Sequence, residues 1–285
     1  KDFRWGNFWS VGASWRLTQE EFLQGIDAIN NLKFKVSYGE QGNDAIGTYY
    51  GWQSFYDLGW DNNMYNGAVI STLENRELQW EVSKNFNTGI EFRVFNRLSG
   101  EFNFFNRGSS NLLFEKPLPP STGIDIINVN IGELVNRGFE FQLNAQVIRD
   151  AEVKWNVDFN ISHFKNEFTK LPQEGIIFGT KRWEVGRSIY DFWIREDAGI
   201  DTETGEVFYW MDELDENGEE TGNRVTTTEY SLADRYYVGT AIPDFYGGLT
   251  NTVSWKGLEL SLLMVYSYGG EMFDGNYRSI MHEGD

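Results

Sequence analysis

The side chains in this sequence that could carry out acid–base catalysis are adjacent carboxylates. Two such pairs are Glu196-Asp197 and Glu219-Glu220. A glycosidase needs two carboxyl groups about 5–9.5 Å apart in a cleft. Both pairs lie in a strongly acidic segment, where carboxylates are usually solvated. The sequence therefore predicts that these pairs are surface residues and that the chain is not an enzyme.

Histidine and cysteine chemistry is equally sparse. The two histidines, His163 and His282, are more than a hundred residues apart, and neither stands in a recognisable triad arrangement with serine and a carboxylate. We interpret His163 as a residue at the end of a strand. The chain contains no cysteine, which excludes a disulfide scaffold and a cysteine-based metal or redox site.

One acidic stretch partly resembles a calcium loop. Glu213, Asp215 and Asn217 supply alternating oxygen ligands before a glycine. An EF-hand loop begins with Asp and ends with a bidentate Glu, whereas this stretch begins with Glu and has Arg224 at the final position. A hairpin turn is the preferred interpretation, as it is for residues 201–206. The sequence predicts no metal and no cofactor, with a structural calcium ion at Asp215 and Asn217 as the alternative.

Tryptophan side chains in the long loops are the candidates for binding. Flat amphipathic rings can stack on sugar rings or contact a protein partner at a low cost in conformational entropy. The alternative is that they pack the loops against one another. The candidates for substrate or partner binding are Trp52, Trp60, Trp183, Trp193 and Trp210.

These loops must be positioned by regular elements of the chain. The clearest alternation of apolar and polar residues lies in residues 131–168. In its first half, Phe139, Phe141 and Leu143 alternate with Glu, Gln and Asn, and the second half repeats the pattern from Trp155 to Ile161. A period of two places the two sets on opposite faces of a sheet. The stretch therefore predicts two antiparallel strands that turn at residues 149–151.

Similar alternation recurs along the chain and predicts eight strands. Each strand of the 131–168 hairpin exceeds the usual ~5–6 residues and reaches the ~9–11 that cross a bilayer at a tilt. Strands of this length with one apolar face and one polar face in contact with water favour an all-β, antiparallel transmembrane β-barrel wall. A short helix beginning at Thr18, with Glu21 in a capping box, is predicted after the first strand. The predicted strands are 8–17, 32–39, 80–95, 98–106, 131–148, 152–168, 245–255 and 258–268.

The connections between the predicted strands differ in length on the two sides. Those after the third, fifth and seventh strands are tight turns and that after the first is moderate, whereas those after the second, fourth and sixth are long. Outer-membrane barrels show this asymmetry, with short periplasmic turns and long extracellular loops. Trp155 and Trp255 lie at the short-turn side, where an aromatic girdle is expected.

Composition excludes several classes of protein. The net charge is −19 and the pI is about 4.5, so no basic surface is available for nucleic acid. No run of about 18 apolar residues is present for a membrane-spanning helix. The mean hydropathy of −0.48 is compatible with a barrel, because only alternate strand residues face lipid.

Five stretches, taken in their order along the chain, carry a resemblance to a known family. They are LKFKVSYGEQGND (32–44), LQWEVSKNFNTGIEFRVFNRLSGEFNFFNR (78–107), PLPPSTGIDIINVNIGELVNRGFEFQLN (117–144), VGRSIYDFW (185–193) and DRYYVGTAIPDFYGGLTNTVSWKGLELSLL (234–263). This ordered series resembles the barrel of SusC/RagA-like TonB-dependent transporters of the Bacteroidetes outer membrane, and the resemblance covers most of the chain.

The resemblance implies a function and partners. Members of that family are 22-strand barrels with a plug and a TonB box; a SusD-like surface lipoprotein caps them, and they import oligosaccharides or peptides. Residues 1–285 are then expected to be part of one such barrel, without plug, TonB box or the remaining strands. Expected partners are the SusD-like lipoprotein, TonB through an N-terminal region outside this chain, and outer-membrane lipid, but no nucleic acid.

Two further expectations concern the long loops and the competing fold. Residues 170–242, called the insertion below, form the longest excursion and are expected to be an extracellular loop. They contain sixteen acidic and seven basic residues. The alternative to the barrel is a soluble secreted β-sandwich that binds or hydrolyses carbohydrate. That alternative requires a dry core between two sheets and a paired-carboxylate cleft.

Overall fold

A single antiparallel sheet of eight long strands, called the wall below, dominates the computed structural model. The structure describes residues 2–45, 49–61, 65–173 and 175–280. The strands in these ranges are β1 Ser10–Arg16, β2 Ile29–Asn43, β3 Phe55–Leu58, β4 Ala68–Thr72, β5 Glu81–Val94, β6 Leu98–Ser110, β7 Leu113–Pro117, β8 Ile126–Asn130, β9 Glu133–Ile148, β10 Val153–Lys170, β11 Ile176–Phe178, β12 Lys181–Trp183, β13 Asp191–Arg195, β14 Asp197–Ile200, β15 Val207–Leu214, β16 Glu220–Thr227, β17 Arg235–Thr240, β18 Phe245–Trp255 and β19 Leu258–Tyr268.

The wall runs in the order β1-β2-β5-β6-β9-β10-β18-β19, so each strand lies beside its predecessor in the predicted series. All eight predicted strands are confirmed, and β2, β6 and β10 extend further toward the long loops than the sequence pattern indicates. The helical structure in the described ranges is short. It consists of 3₁₀ turns at Leu17–Gln19, Glu21–Leu23 and Pro120–Thr122 and of one α-helix, α1, at Gly275–Ile280. No helix in the described ranges has the length and apolar character needed to cross a bilayer.

Register along the wall keeps like side chains on one face. Phe141 of β9 lies between Phe102 of β6 and Ile161 of β10, and the next row joins Glu101, Gln142 and Asn160. Neighbouring rows therefore alternate between apolar and polar across several strands. Because side chains alternate with a period of two, this register gives the wall one apolar and one polar face.

The apolar face is left uncovered by the described residues. Phe102 in the middle of the wall is 43% exposed, and Leu262 near its edge is 55% exposed. The smaller sheets of the chain do not form a second layer over this face. A soluble sandwich would bury these side chains in a dry core, so the structure agrees with the barrel wall and not with the sandwich.

The polar face carries a network of charged groups. Lys35 Nζ lies 2.7 Å from Glu91 Oε1 and 2.8 Å from Glu101 Oε1, and Lys33 Nζ lies 3.2 Å from Glu91 Oε2. These pairs join β2, β5 and β6. A cavity of about 630 Å³ lies beside them on the same face. The face is suited to contact with water, as expected of a barrel lumen.

The short turns are linked to one another along one rim of the wall. Asn96, in the β5–β6 turn, donates its backbone N–H to Asn30 Oδ1 (2.6 Å) and accepts a hydrogen bond from Arg149 Nη1 (3.1 Å) on its backbone oxygen. Lys256 in the β18–β19 turn pairs with Glu152 (3.2 Å). These contacts join turns that are far apart in sequence, and they hold the ends of the strands in register.

The prediction of a helix after β1 is wrong. Two separate 3₁₀ turns replace it, and Thr18 lies inside the first of them instead of capping a helix. Glu20 between them is extended (φ −83°, ψ 145°) and accepts a hydrogen bond from Trp15 Nε1 (2.7 Å). Isolated short helices are marginal, and the chain must return at once to pair Arg16 with Lys33.

The long connections also contain more regular structure than the sequence indicates. β3 pairs with β4 and β7 pairs with β8 in two hairpins outside the wall. Pro117 ends β7 outside the wall, where it does not interrupt a central strand with its missing backbone N–H. The insertion folds into a four-stranded sheet, β11-β12-β13-β17, and a three-stranded sheet, β14-β15-β16.

The side chain of Asn166 fastens the insertion to the polar face of the wall. It is 6% exposed on β10. Its Oδ1 accepts hydrogen bonds from Ser188 Oγ (3.0 Å) and the Ile189 N–H (3.1 Å), while its Nδ2 donates to Asn136 Oδ1 of β9 (2.8 Å). One amide thus joins two wall strands to the base of the insertion. The neighbouring Phe168 is 3% exposed, so the chain is most densely packed at this end.

We predict that Asn166→Ala in the full-length protein loosens the base of the insertion. The change leaves the Ser188 hydroxyl and the Ile189 N–H without their buried acceptor, at a cost of about 1–3 kcal/mol. Each 1.4 kcal/mol is about tenfold in a local opening equilibrium. Chymotryptic cleavage after Tyr190 should accelerate by about tenfold or more, since it follows the population of the opened state.

Asn144→Ala is the matched control for that experiment. Asn144 Nδ2 donates to Asp158 Oδ1 (2.6 Å) on a solvent-exposed part of the same face. In the variant, water can hydrogen-bond to Asp158 in place of Asn144. Cleavage after Tyr190 should stay within about threefold of the parent rate, consistent with surface effects of about 0.5 kcal/mol. Equal cleavage of the Asn166 and Asn144 variants would show that the buried amide does not hold the insertion.

A second prediction concerns the two faces of β9. Phe141→Arg on the apolar face should lower the yield of assembled protein in outer-membrane vesicles, because arginine near the bilayer midplane costs about 2–4 kcal/mol. Gln142→Arg on the polar face should assemble like the parent. The shift of electrophoretic mobility on heating measures the assembled fraction. Equal yields of the two variants would contradict the assignment of the faces.

Candidate functional site

The outer part of the insertion is built around an aromatic and guanidinium cluster. Trp193 of β13 pairs with Tyr237 of β17, and their ring centres are 4.7 Å apart. The guanidinium of Arg182 lies 4.5 Å from the Trp193 ring centre, and that of Arg187 lies 4.3 Å from the Tyr237 ring centre. Such contacts contribute about 0.5–2 kcal/mol each. They make this sheet a rigid support.

A half-buried hydrogen bond fixes the protonation state of Tyr237 in this cluster. Tyr237 donates its phenolic hydrogen to Glu184 Oε2 (2.8 Å). Burial raises the pKa of Tyr237 well above its usual value, and the hydrogen bond to Glu184 raises it further. The phenol therefore stays neutral and acts as a donor at all physiological pH values. Glu184 Oε1 is also paired with Arg182 Nη2 (2.6 Å), whereas the buried Nε of Arg182 has no hydrogen-bond partner among the described residues.

Trp183 joins the insertion to the wall and to the β7–β8 hairpin. Its ring centre lies 5.1 Å from that of Phe114, 5.4 Å from that of Phe168 and 6.1 Å from that of Phe178. The four rings come from β7, β10, β11 and β12. Trp183 is half-buried in this contact, which is the packing arrangement that the sequence leaves as the alternative to ligand binding.

A second cluster joins the two small sheets of the insertion. Tyr236 donates to Asp212 Oδ1 (2.9 Å), and Asp212 donates its backbone N–H to Asp234 Oδ2 (2.8 Å). Arg224 lies 3.7 Å above the Tyr236 ring and pairs with Glu196 (3.2 Å). Burial, followed by the hydrogen bond to Asp212, raises the pKa of Tyr236 to about 12. The three-stranded sheet is thereby fixed in place.

The five candidate tryptophans lie in three separate places. Trp183 and Trp193 share the four-stranded sheet, and Trp210 lies on β15 of the three-stranded sheet. Trp52 and Trp60 belong to the segment between β2 and β5. Trp52 is half-buried, whereas Trp60 is 65% exposed. The structure therefore does not bring the five residues into one site, and their binding role stays a prediction.

The paired carboxylates are not arranged as a catalytic cleft. Glu196 is held by Arg224 (3.2 Å), while its neighbour Asp197 is exposed. Glu219 and Glu220 are both exposed beside the β15–β16 turn. These positions are those of ion-pairing and solvated groups.

His163 lies in the interior of β10, where it pairs with Phe139 of β9, so the prediction that it stands at the end of a strand is wrong. Its Nδ1 contacts the backbone oxygen of Asp244, and its ring centre lies 5.6 Å from that of Phe139. These contacts join β10 to the start of β18 and to β9. His282 lies outside the described residues.

The proposed calcium loop forms a turn in which its oxygens accept backbone hydrogen bonds. Asp215 Oδ1 accepts from the N–H groups of Asn217 (2.8 Å) and Glu219 (2.9 Å), as in an Asx turn. The bond from Glu219, followed by that from Asn217, lowers the pKa of Asp215. Asp201 accepts similarly from Glu203 (2.8 Å). The described residues contain no group of three or more metal-binding side chains; whether the protein binds calcium stays a prediction.

Comparison with known proteins identifies the fold family. Residues 1–280 match the model of the TonB-dependent receptor-like β-barrel. TonB-dependent receptor P3 of Formosa agariphila is 31% identical over 96% of this chain, which corresponds to 29% of that receptor. TonB-dependent receptor SusC of Bacteroides thetaiotaomicron is 31% identical over 60% of this chain and 18% of SusC.

Solved structures give the same result. The RagAB peptide importer in its closed-closed state superposes with a TM-score of 0.80 and 30% identity, over 92% of this chain and 29% of the matched chain. The open-open state gives a TM-score of 0.80 and 28% identity, over 92% and 28%. Nearly all of this chain thus aligns with receptor P3 and with the matched RagAB chain, but it spans only about three tenths of the length of each.

These matches decide between the two folds considered for the sequence. The relatives are receptors and importers by name, which confirms the prediction that the chain is not an enzyme. They also agree with the uncovered apolar face and the single wall, whereas nothing favours the soluble sandwich. The chain belongs to the TonB-dependent receptor-like β-barrel family, as part of a SusC/RagA-like barrel.

Proposed function

We propose that the protein containing this chain is an outer-membrane transporter that takes up oligosaccharides or peptides with energy supplied through TonB. In this proposal the chain contributes part of the barrel wall and several outer loops. The observation that carries it is the two-faced wall. Its apolar face is left exposed for lipid, and its polar face holds a cavity lined by charged and amide groups.

The relatives leave two classes of nutrient open. RagAB is a peptide importer, and SusC is a TonB-dependent receptor. Amide and carboxylate groups on the polar face, such as Gln142, Asn144 and Asp158, can hydrogen-bond to either peptides or oligosaccharides. Trp60, exposed on an outer loop, is available to stack on a sugar ring or to contact a partner.

We further propose two protein partners. TonB would act through an N-terminal region of the parent protein outside this chain, and a SusD-like surface lipoprotein would cover the long-loop side. Support for the lipoprotein comes from the likeness to SusC and to RagAB. The rigid clusters around Tyr236 and Tyr237 would then serve as a firm platform at the barrel mouth, because their hydrogen bonds stay intact at physiological pH.

Deletion of the gene tests the proposal. The deletion strain should lose growth on a tryptic peptide digest or on a mixture of neutral oligosaccharides as sole carbon source, and the gene for the full-length protein should restore it. Accumulation of the labelled nutrient by the parent strain should stop when a protonophore dissipates the proton gradient. Unchanged growth on both nutrients, or accumulation that resists the protonophore, would contradict energised import.

A further inference from the structure

One outer hairpin of the chain exposes an unusual amount of aromatic surface. It consists of β3, β4 and the described residues between them, 59–61 and 65–67, and it is called the aromatic hairpin below. Tyr56 is 59% exposed, Leu58 82%, Trp60 65% and Tyr65 75%. Side chains on both faces of β3 contribute, and Ile70 on β4 is 38% exposed. Clusters of exposed apolar side chains mark interaction surfaces.

The aromatic hairpin makes extensive strand contacts only within itself, among the described residues. It is tied to the rest of the protein at its base. Asn75 donates its backbone N–H to the Trp52 carbonyl (3.1 Å) and its side-chain Nδ2 to the Asn128 carbonyl (2.9 Å), while the Glu74 N–H donates to Ser54 Oγ (3.1 Å). An isolated two-stranded hairpin is marginally stable in water. A firm base and an exposed tip indicate a surface that is completed by another molecule.

The charge of the hairpin restricts what that molecule can be. Asp57 and Asp61 are interleaved with the exposed aromatic residues, and residues 43–75 contain four acidic and no basic side chains. Arg76, the nearest basic residue that follows, pairs with Glu74 at the base (3.5 Å). The described residues of the segments 43–80, 111–132, 170–242 and 269–280 together carry a net charge of −14, out of −19 for the chain. The whole long-loop side therefore attracts basic surfaces and repels acidic ones.

We propose that the aromatic hairpin is a docking surface for a protein partner whose facing side has an apolar pocket rimmed by lysine and arginine. Tyr56, Leu58 and Trp60 would enter the pocket, and Asp57 and Asp61 would face its rim. Tyrosine and tryptophan are the residues that most often dominate binding energy at protein interfaces. Complementary charge at the rim speeds encounter and excludes wrong partners.

This inference rests on the proposed function, because the partner in question is the surface lipoprotein proposed there. Its electrostatic component identifies the partner by chemistry, since the lipoprotein must present a basic rim. A second copy of this chain fits poorly, because its long-loop side is equally acidic. Polyanionic glycans are disfavoured by the same charge, whereas a neutral glycan could stack on Trp60 and is distinguished by the test below.

The test uses the full-length receptor and the lipoprotein encoded by the neighbouring gene, both purified in detergent. Tyr56→Ser with Trp60→Ser should weaken the Kd for the lipoprotein by about tenfold or more. Asp57→Lys with Asp61→Lys should lower the association rate by about tenfold at low salt, and the difference should shrink at high salt. The change in Kd would reside mainly in dissociation for the first variant and in association for the second.

The β1–β2 connection, on the short-turn rim opposite the long loops, provides the matched control. Glu21→Lys with Asp27→Lys makes the same change of charge at exposed positions, and Ile26→Ser removes an apolar side chain that is 44% exposed. Neither change should alter the Kd by more than about twofold. Assembled fractions of all variants, measured by heat-modifiable mobility, show that the barrel itself is intact.

Each other outcome overturns the docking surface. Parent-like affinity of both hairpin variants does so, as does equal weakening by the control variants. A loss of homodimer with the lipoprotein still bound would assign the hairpin to a second copy, and weaker binding of neutral oligosaccharides with an intact complex would assign it to the nutrient. If the parent receptor still accumulates nutrient in these cases, the proposed function survives. Absence of both lipoprotein binding and uptake in the parent would remove both proposals.

Discussion

Backbone pairing with a fixed register is the constraint on which the rest of this structure depends. Each strand of the wall is held by its neighbours, and a slip of one residue would exchange its apolar and polar faces. The links between the short turns, such as those of Asn96 to Asn30 and Arg149, secure one end of this register. Asn166 and Phe168 secure the other end. With the register fixed, the wall can present apolar side chains to lipid and polar ones to a lumen.

The long-loop end of the wall carries both rigid surfaces and an exposed apolar surface. The insertion is stabilised by the hydrogen bonds of Tyr236 and Tyr237 and by the guanidinium groups beside them. It contacts the wall through Asn166 and Trp183. Among the residues that the structure describes, the aromatic hairpin has no such support beyond its base. This contrast separates the part of the outer surface that serves as scaffold from the part that is available to a partner.

The wall could be predicted from the sequence because every strand follows one repeated rule: apolar side chains lie on one face and polar side chains on the other. The insertion could not, since its small sheets are set by contacts between distant residues. Asn166 is one of many amides in the wall strands, and nothing in its local sequence distinguishes it from the solvated Asn144. The helix expected at Thr18 failed because a good capping pattern could not outweigh the need for the chain to turn back into β2. Trp183 and Trp60 have similar sequence contexts, and only their surroundings separate a packed ring from an exposed one.

The central claim, that one face of the wall meets lipid and the other water, can be measured residue by residue along β9. The chain has no cysteine, so single cysteines can be placed at each position from Phe139 to Gln146 in the full-length protein in outer-membrane vesicles. Each cysteine would be reacted with a membrane-impermeant maleimide after the vesicles are opened. The account predicts fast labelling at the even positions, beginning with Glu140, and protection at the odd positions, beginning with Phe139. Protection of both sets, or labelling without a period of two, would contradict it.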